Sequence, residues 1–386
     1  MSDVMSAAEP AGWLGGRLAT GLRDVTNDLG ALDSAGRWAV CVSFEGQATL
    51  VRFEHWTPWP AKRLPGGWSA VAPRPGDWST SLTEAQYLSG VESIRAAVAR
   101  GDVYQANLCR VMSAPLRAAG GPAGAGTTGS TDADPLALAR VLAAGNPAHY
   151  AGALRLPRAA PAAAATGSSD DAQAGLRVAC ASPELFLQRR GSSLLSRPIK
   201  GTAATADGFL EKDRAENIMI VDLVRNDLSM VAATGSVAVP EFLATEAHPG
   251  LFHLVSGVSA LLAEGAGWSE IFDATFPPGS VTGAPKSSAL RLIGDLEPVS
   301  RGPYCGAFGW VDADTGEAEL AVAIRTFWIE PAGLGDADPP DDAMVLKFGT
   351  GAGITWGSDP EAEWRETELK AARLVALASS EEVHEP

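Results

Sequence analysis

The sequence predicts an α+β fold built on mostly antiparallel sheet. Three observations lead there. β-rich runs follow one another directly, helical periodicity separates groups of them rather than alternating with each, and neither a βαβ nucleotide-binding pattern nor a fixed-period repeat occurs. With 386 residues, 46% of them hydrophobic, the chain can bury a large core as one large domain or two ordinary ones. Its formal net charge of −16 argues against nucleic acid or an anionic membrane as partner. The same field repels an acidic small substrate unless a cation cluster or a metal reverses the local sign. Cys41, Cys109, Cys180 and Cys305 are widely spaced without a CxxC, which predicts reduced core thiols in a cytoplasmic protein. No apolar run reaches membrane-spanning length, and the first ten residues lack the pattern of a secretory signal.

Taken in order, "WAVCVSFEGQATLVRF" (38–53) reads as a hairpin around a Gly-containing turn. Residues 84–100 read as a helix, with Thr83 and Gln86 as capping box, a stripe of Tyr87, Val91, Ile94 and Val98, and Gly101 as stop. A strand follows at 103–112. A second helix begins at Asp134 with Pro135 in its first turn. It lies between two Gly/Ala/Ser-rich inserts, near 118–134 and 157–175, that cannot bury a core. Strands are expected at 176–189, 193–199, 305–313, 317–330 and 343–349, and helices at 211–232, 267–275, 285–295 and 359–379. Residues 1–80 form an N-terminal subregion that includes the hairpin, and 81–380 carry the chemistry.

Two helices hold acidic pairs. In "KDRAENIMIVDLVRNDL" (212–228), Asp213 and Glu216 are three apart, with Ile218, Val221, Val224 and Leu228 as the inward face. In "GSDPEAEWRETELKAARLVAL" (357–377), Ser358 and Glu361 read as a capping box, Glu363 and Glu366 are three apart, and Lys370 follows Glu366 by four. Taken alone, each pair is accounted for by a solvated ion-pair face. Taken together they offer the hard oxygen ligands that Mg²⁺ prefers, and the scattered histidines do not suggest zinc. The glycines of "KFGTGAGITWGSDP" (347–360) read either as a tight strand–turn–helix connection or as a loop whose N–H groups meet an anion. Arg325 reads as a charge inside an apolar strand and Glu184 as a carboxylate leading one, and a buried guanidinium requires a carboxylate from protein or ligand.

The segments "GDVYQANL", "SPELFL", "RPIKGT", "DRAENIMIVDLVRNDL", "HLVSG", "FPPGSVTGAPK", "YCGAFGW", "AIRT" and "GAGITWGSDPEAEWRETELKA" occur in this order over roughly residues 84–380. Together they resemble the chorismate-utilising enzymes: the large components of aminodeoxychorismate synthase and anthranilate synthase, and the isochorismate and salicylate synthases. The resemblance implies a large two-layer sheet sandwich flanked by helices. Lysine at 200, where other branches usually carry alanine, resembles the aminodeoxychorismate synthase branch. It implies an amine that attacks C2 of chorismate, with ammonia then adding at C4. A free lysine is only ~0.04% neutral at pH 7, so such an amine needs desolvation or nearby cations.

By the same matching, Glu184 resembles the general acid for the leaving hydroxyl. Glu216 and Glu366 resemble Mg²⁺ ligands, supported by Asp213 and Glu363. Arg325 and Tyr304 would hold the enolpyruvyl carboxylate, helped by N–H groups near Gly351 and Gly353. Lys370 would orient the acids, and Thr202 and His253 would line the ring. Gln105 stands where the isochorismate and salicylate branches carry a water-activating lysine. The segment between Lys200 and Glu216 is shorter than the family's usual one. No glutaminase motif is present in the sequence, so the resemblance implies a separate glutaminase subunit as ammonia source. Anthranilate synthase component I is the alternative within the family, and a non-catalytic scaffold that binds a glutaminase is the alternative outside it.

Overall fold

In the computed structural model, the residues described are 9–117, 133–157, 175–203, 205–248, 251–332 and 343–379. The two inserts lie outside them apart from their edges. Among the described residues, 18 strands join one hydrogen-bonded network. Every pairing in it is antiparallel.

Followed from neighbour to neighbour, the strands form a single path. One end holds Gly283–Ala284 and Ser79–Thr80, both on Gln105–Pro115, then Met344–Ile354, Thr326–Pro331, Leu176–Ser182 and Tyr150–Leu156. The middle holds Ala11–Leu14, Arg17–Thr26, Ala48–Pro58, Arg37–Val42, Ala307–Asp312 and Glu317–Val322. The other end holds Leu185–Arg190, Ser193–Arg197, Leu251–Leu261 and Ala238–His248, with Ile199–Ala203 also on Leu251–Leu261. The main core, from Trp38, Leu50 and Phe186 to Phe272 and Phe308, draws on strands from all three parts of the path. A second core under Trp13, Trp68, Leu136, Phe327 and Leu374 seats the helices Pro135–Gly145 and Pro360–Ala378. Among the described residues no helix is long and apolar enough to cross a membrane.

Local chemistry sets several elements as expected. Thr83 and Gln86 bond reciprocally at the start of Glu84–Arg100, and Gly101 ends that helix at φ 83°. Asp134 caps Pro135–Gly145 through the Leu136 N–H. All four cysteines are free and buried.

Other readings are corrected. The strand expected over 317–330 is broken after Val322 and resumes at Thr326, with Arg325 at φ 52° in the gap. Arg325 therefore stands between two strands, not inside one. The runs 176–189 and 193–199 are likewise each split. The glycines at 349, 351 and 353 are not a loop: they continue the Met344–Ile354 strand, opposite Val111, Cys109 and Asn107. Ser358 does not cap the last helix. Its hydroxyl closes the preceding turn by accepting the Thr355 N–H, while Asp359 accepts from Ala362 and Pro360 occupies the first helical position. Ile218 is 47% exposed, and Asn217 takes the inward place in its stead. Asn217 is tolerated there because its amide donates to the Leu254 carbonyl at 3.1 Å and accepts from the Ser256 hydroxyl at 2.6 Å.

Candidate active site

The two ends of the strand path meet at a seam, and most of the residues singled out above collect there. Lys200 lies in Ile199–Ala203, where pairing with Leu251–Leu261 slips register between Ile199 and Thr202. Gly201 in this bulge has φ 90°, and a Cβ on it would stand 2.9 Å from that of Asp213. Glycine thus lets the start of the Glu211–Ser229 helix close over the strand.

The half-buried Lys200 Nζ donates to the Ser280 carbonyl at 2.9 Å. Asn107 Nδ2 approaches the same oxygen at 3.4 Å, and Asn107 belongs to the opposite end of the path. Glu184, in the turn between Leu176–Ser182 and Leu185–Arg190, is 4% exposed. Its backbone is clamped by the Ser182 hydroxyl and the Val322 N–H. Burial pushes its carboxyl above the ordinary carboxylate range, against the pull of a hydrogen bond with Ser280 and of the Lys200 charge.

The acidic helices face each other across the same seam. Lys212 Nζ stands 3.0 Å from Glu363 Oε1 and 3.7 Å from Glu216 Oε1. Burial pushes the Glu216 carboxyl up despite Lys200 and Lys212, and its Oε1 is buried with no hydrogen-bond partner. Burial pushes Glu366 up as well, but Lys370, Lys212 and Lys200 together hold it below the ordinary range. Lys370 Nζ bonds Glu366 at 2.7 Å and the Gly351 carbonyl at 3.0 Å. Asp213 Oδ2 accepts the Leu210 N–H at 2.8 Å and so caps its own helix.

On the strand side, Gln105 is fully buried, its Oε1 lacks a partner, and its Nε2 would meet any Cβ at Gly353. Tyr304 is buried with its ring against Gly349, and burial pushes its phenol well above the ordinary range, so the hydroxyl stays a neutral donor. Ala323, bonded to the adjacent Cys305 and Gly306, leads into Arg325. Burial lowers the Arg325 guanidinium, and no carboxylate partner faces it among the described residues. Thr202 is opposite His253 in the ladder, and His253 is buried.

Chemically, the seam holds an amine, a carboxylic acid biased toward protonation and two acceptor oxygens lacking donors, and the half-buried Arg325 follows the strand whose end holds the Glu184 backbone. Glu216, Glu363 and Glu366 are the groups that could hold a cation. Among the described residues no three acidic, His or Cys side chains converge into a ready cage. Mg²⁺ needs only one or two carboxylates, its other ligands being water and substrate, and the partnerless Glu216 oxygen fits that demand.

Two contributors were missed from sequence. Ser280 sits inside the quoted "FPPGSVTGAPK", but nothing in the motif says that its carbonyl receives Lys200. Lys212 read as a surface partner of its own helix, which conceals Glu363.

The family described as chorismate binding enzyme matches residues 69–376. Anthranilate synthase component 1 of Streptomyces coelicolor is 35% identical over 340 residues, covering 83% of this chain and 58% of that protein. Aminodeoxychorismate synthase component 1 of Bacillus subtilis is 33% identical over 320 residues, covering 80% and 58%. The chain thus spans 58% of the length of each of these relatives. Among solved structures, the menaquinone-specific isochorismate synthase of Escherichia coli superposes with a TM-score of 0.70 at 17% identity, covering 97% of this chain and 90% of that one. At that identity the likeness concerns the fold.

Proposed function

The chain belongs to the chorismate binding enzyme family, and within it we propose the activity of an aminodeoxychorismate synthase component I: chorismate and ammonia give 4-amino-4-deoxychorismate and water, toward p-aminobenzoate and folate. The observation that carries this reading is the position of Lys200, whose amine is held at the Ser280 carbonyl while its charge acts on Glu184, Glu216 and Glu366.

In the proposed mechanism the deprotonated Lys200 amine attacks C2 of chorismate. The ring double bond shifts and the C4–O bond breaks, and Glu184 delivers the proton that lets hydroxide leave as water. Ammonia then adds at C4 and the C2–N bond to Lys200 breaks, which restores the amine. The Ser280 carbonyl aims Nζ, and the bulge at Gly201 fixes the backbone behind it. Arg325, which has no carboxylate partner among the described residues, is matched to the enolpyruvyl carboxylate, with the Tyr304 hydroxyl as a second donor. Thr202, His253, Gln105, Gly351 and Gly353 would border the ring.

Mg²⁺ is the proposed cofactor. Glu216 and Glu366 would hold it, with Asp213 and Glu363 in support. When bound, the ion neutralises the ring carboxylate and withdraws charge from the ring. The ammonia source would be a glutaminase subunit or free ammonium.

The rival is anthranilate synthase component I, favoured by the relative at 35% identity. The test is incubation of the protein with chorismate, Mg²⁺ and ammonium, with and without aminodeoxychorismate lyase. Aromatic product that requires the lyase is expected. Fluorescent anthranilate formed without it would overturn the assignment. No chorismate consumption at high ammonium, with a glutaminase still bound, would favour a scaffold.

A further inference from the structure

We propose that Lys212 is the resident counter-ion of the acidic cluster, an ammonium that takes the place of a divalent cation and must swing out when one arrives. The inference rests on the reading of Glu216 and Glu366 as cation ligands. The Glu363 side chain is 4% exposed, whereas that of Lys212 is 42% exposed. A carboxylate so deeply buried calls for a hydrogen-bonded positive partner, and Lys212 supplies one. The lysine stem, by contrast, already reaches solvent and can rotate away.

The fit of the ammonium is incomplete. At 3.0 Å it bonds Glu363, but at 3.7 Å from Glu216 Oε1 it is too far for a hydrogen bond, and that oxygen stays unsatisfied. The Glu216 carboxylate, on which Lys200 also acts, thus keeps an acceptor over. Lys370 differs: it is satisfied by Glu366 and the Gly351 carbonyl. A divalent ion placed between the helices would meet the idle oxygen, and Lys212, which spans Glu363 and Glu216, would have to yield to it. Lys212 therefore keeps the metal-free site folded and weakens the intrinsic hold on metal. It acts through the carboxylates, as a positioning residue.

The experiment titrates Mn²⁺ alone, without chorismate, into the full chain and reads free Mn²⁺ by electron paramagnetic resonance. Thermal unfolding with and without Mg²⁺ is followed in parallel. Lys212→Met, which keeps the stem, should bind Mn²⁺ about five- to fiftyfold more tightly than the parent chain. Without metal it should melt lower, and Mg²⁺ should raise its Tm by more than it raises the parent's. Lys212→Arg keeps the charge and should bind Mn²⁺ no more tightly than the parent. Unchanged or weaker Mn²⁺ binding by Lys212→Met, or tightening by Lys212→Arg, would overturn the inference while leaving the ligand assignment standing. Parent-like Mn²⁺ binding by Glu216→Gln would instead overturn the ligand assignment, and the inference with it.

Discussion

The Arg301 and Lys212 clusters each pair a long cation with buried carboxylates, and they are finished to different degrees. Arg301 and Glu297 have side chains 1% and 6% exposed. The guanidinium makes two bonds to Glu297, at 2.8 and 2.5 Å, and others to the Val281 and Asn107 carbonyls. Glu297 accepts the Cys109 N–H as well, and Arg301 stacks over Phe44 at 4.2 Å. Around Lys212, one carboxylate oxygen has no partner and the cation is half in solvent. The Arg301 pair is satisfied by the protein alone and reads as scaffold, whereas the Lys212 pair leaves an acceptor open to a ligand.

Substitutions at the two kinds of cluster should therefore separate loss of turnover from loss of stability. Lys200→Ala, on the unfinished side, should lower ammonia-dependent turnover of chorismate by about 10³-fold or more, while Tm moves by no more than about 2 °C. Comparable losses of Tm and turnover would show that Lys200 is scaffold after all. Arg301→Met, on the finished side, should cost about 3–5 kcal/mol in urea unfolding by stranding Glu297, with the companion change Glu297→Leu recovering much of it. Arg325→Met should raise KM for chorismate about 10–100-fold without lowering Tm, since no carboxylate partner among the described residues is lost.

The smallest effect concerns pH. Glu184 holds its proton more tightly folded than unfolded, because burial raises its pKa. Between the ordinary carboxylate value and the raised one, the folded state binds more protons, so stability falls as pH climbs through that window. Glutamine cannot ionise and escapes the loss. Glu184→Gln should melt about 1–3 °C above the parent at pH 8, with the two curves converging near pH 4. A Gln variant that melts lower at pH 8 would mean that the ionised pair with Lys200 stabilises the fold.

How far the sequence could be read depended on the distance over which each feature is decided. The Thr83–Gln86 box, the Gly101 stop and the Asp134 cap are settled within a turn, and they were legible. Pro360 was a local signal too, since proline favours the first helical position and so marks Asp359 as cap over Ser358. The inward place of Asn217 was not legible, because hydropathy favours Ile218 and the partners of Asn217 lie on the strand Leu251–Leu261. The glycines at 349–353 looked like a loop because a strand seldom spends three of them. Here they make room for the Tyr304 ring and the Gln105 amide. The strands Ala11–Leu14 and Arg17–Thr26 carry mixed residues and gave little periodic signal. The site residues came from motif likeness, and what motifs cannot supply is pairing across the chain: Lys200 finds Ser280 80 positions away, and Lys212 finds Glu363 at 151.

The strand path starts and finishes at one place, and this bears on how the protein becomes competent. The Lys200 bond to Ser280 and the Lys212 pair with Glu363 both tie the last members of the series to the first. The candidate site is therefore not a property of either end alone: it exists only where the series closes on itself.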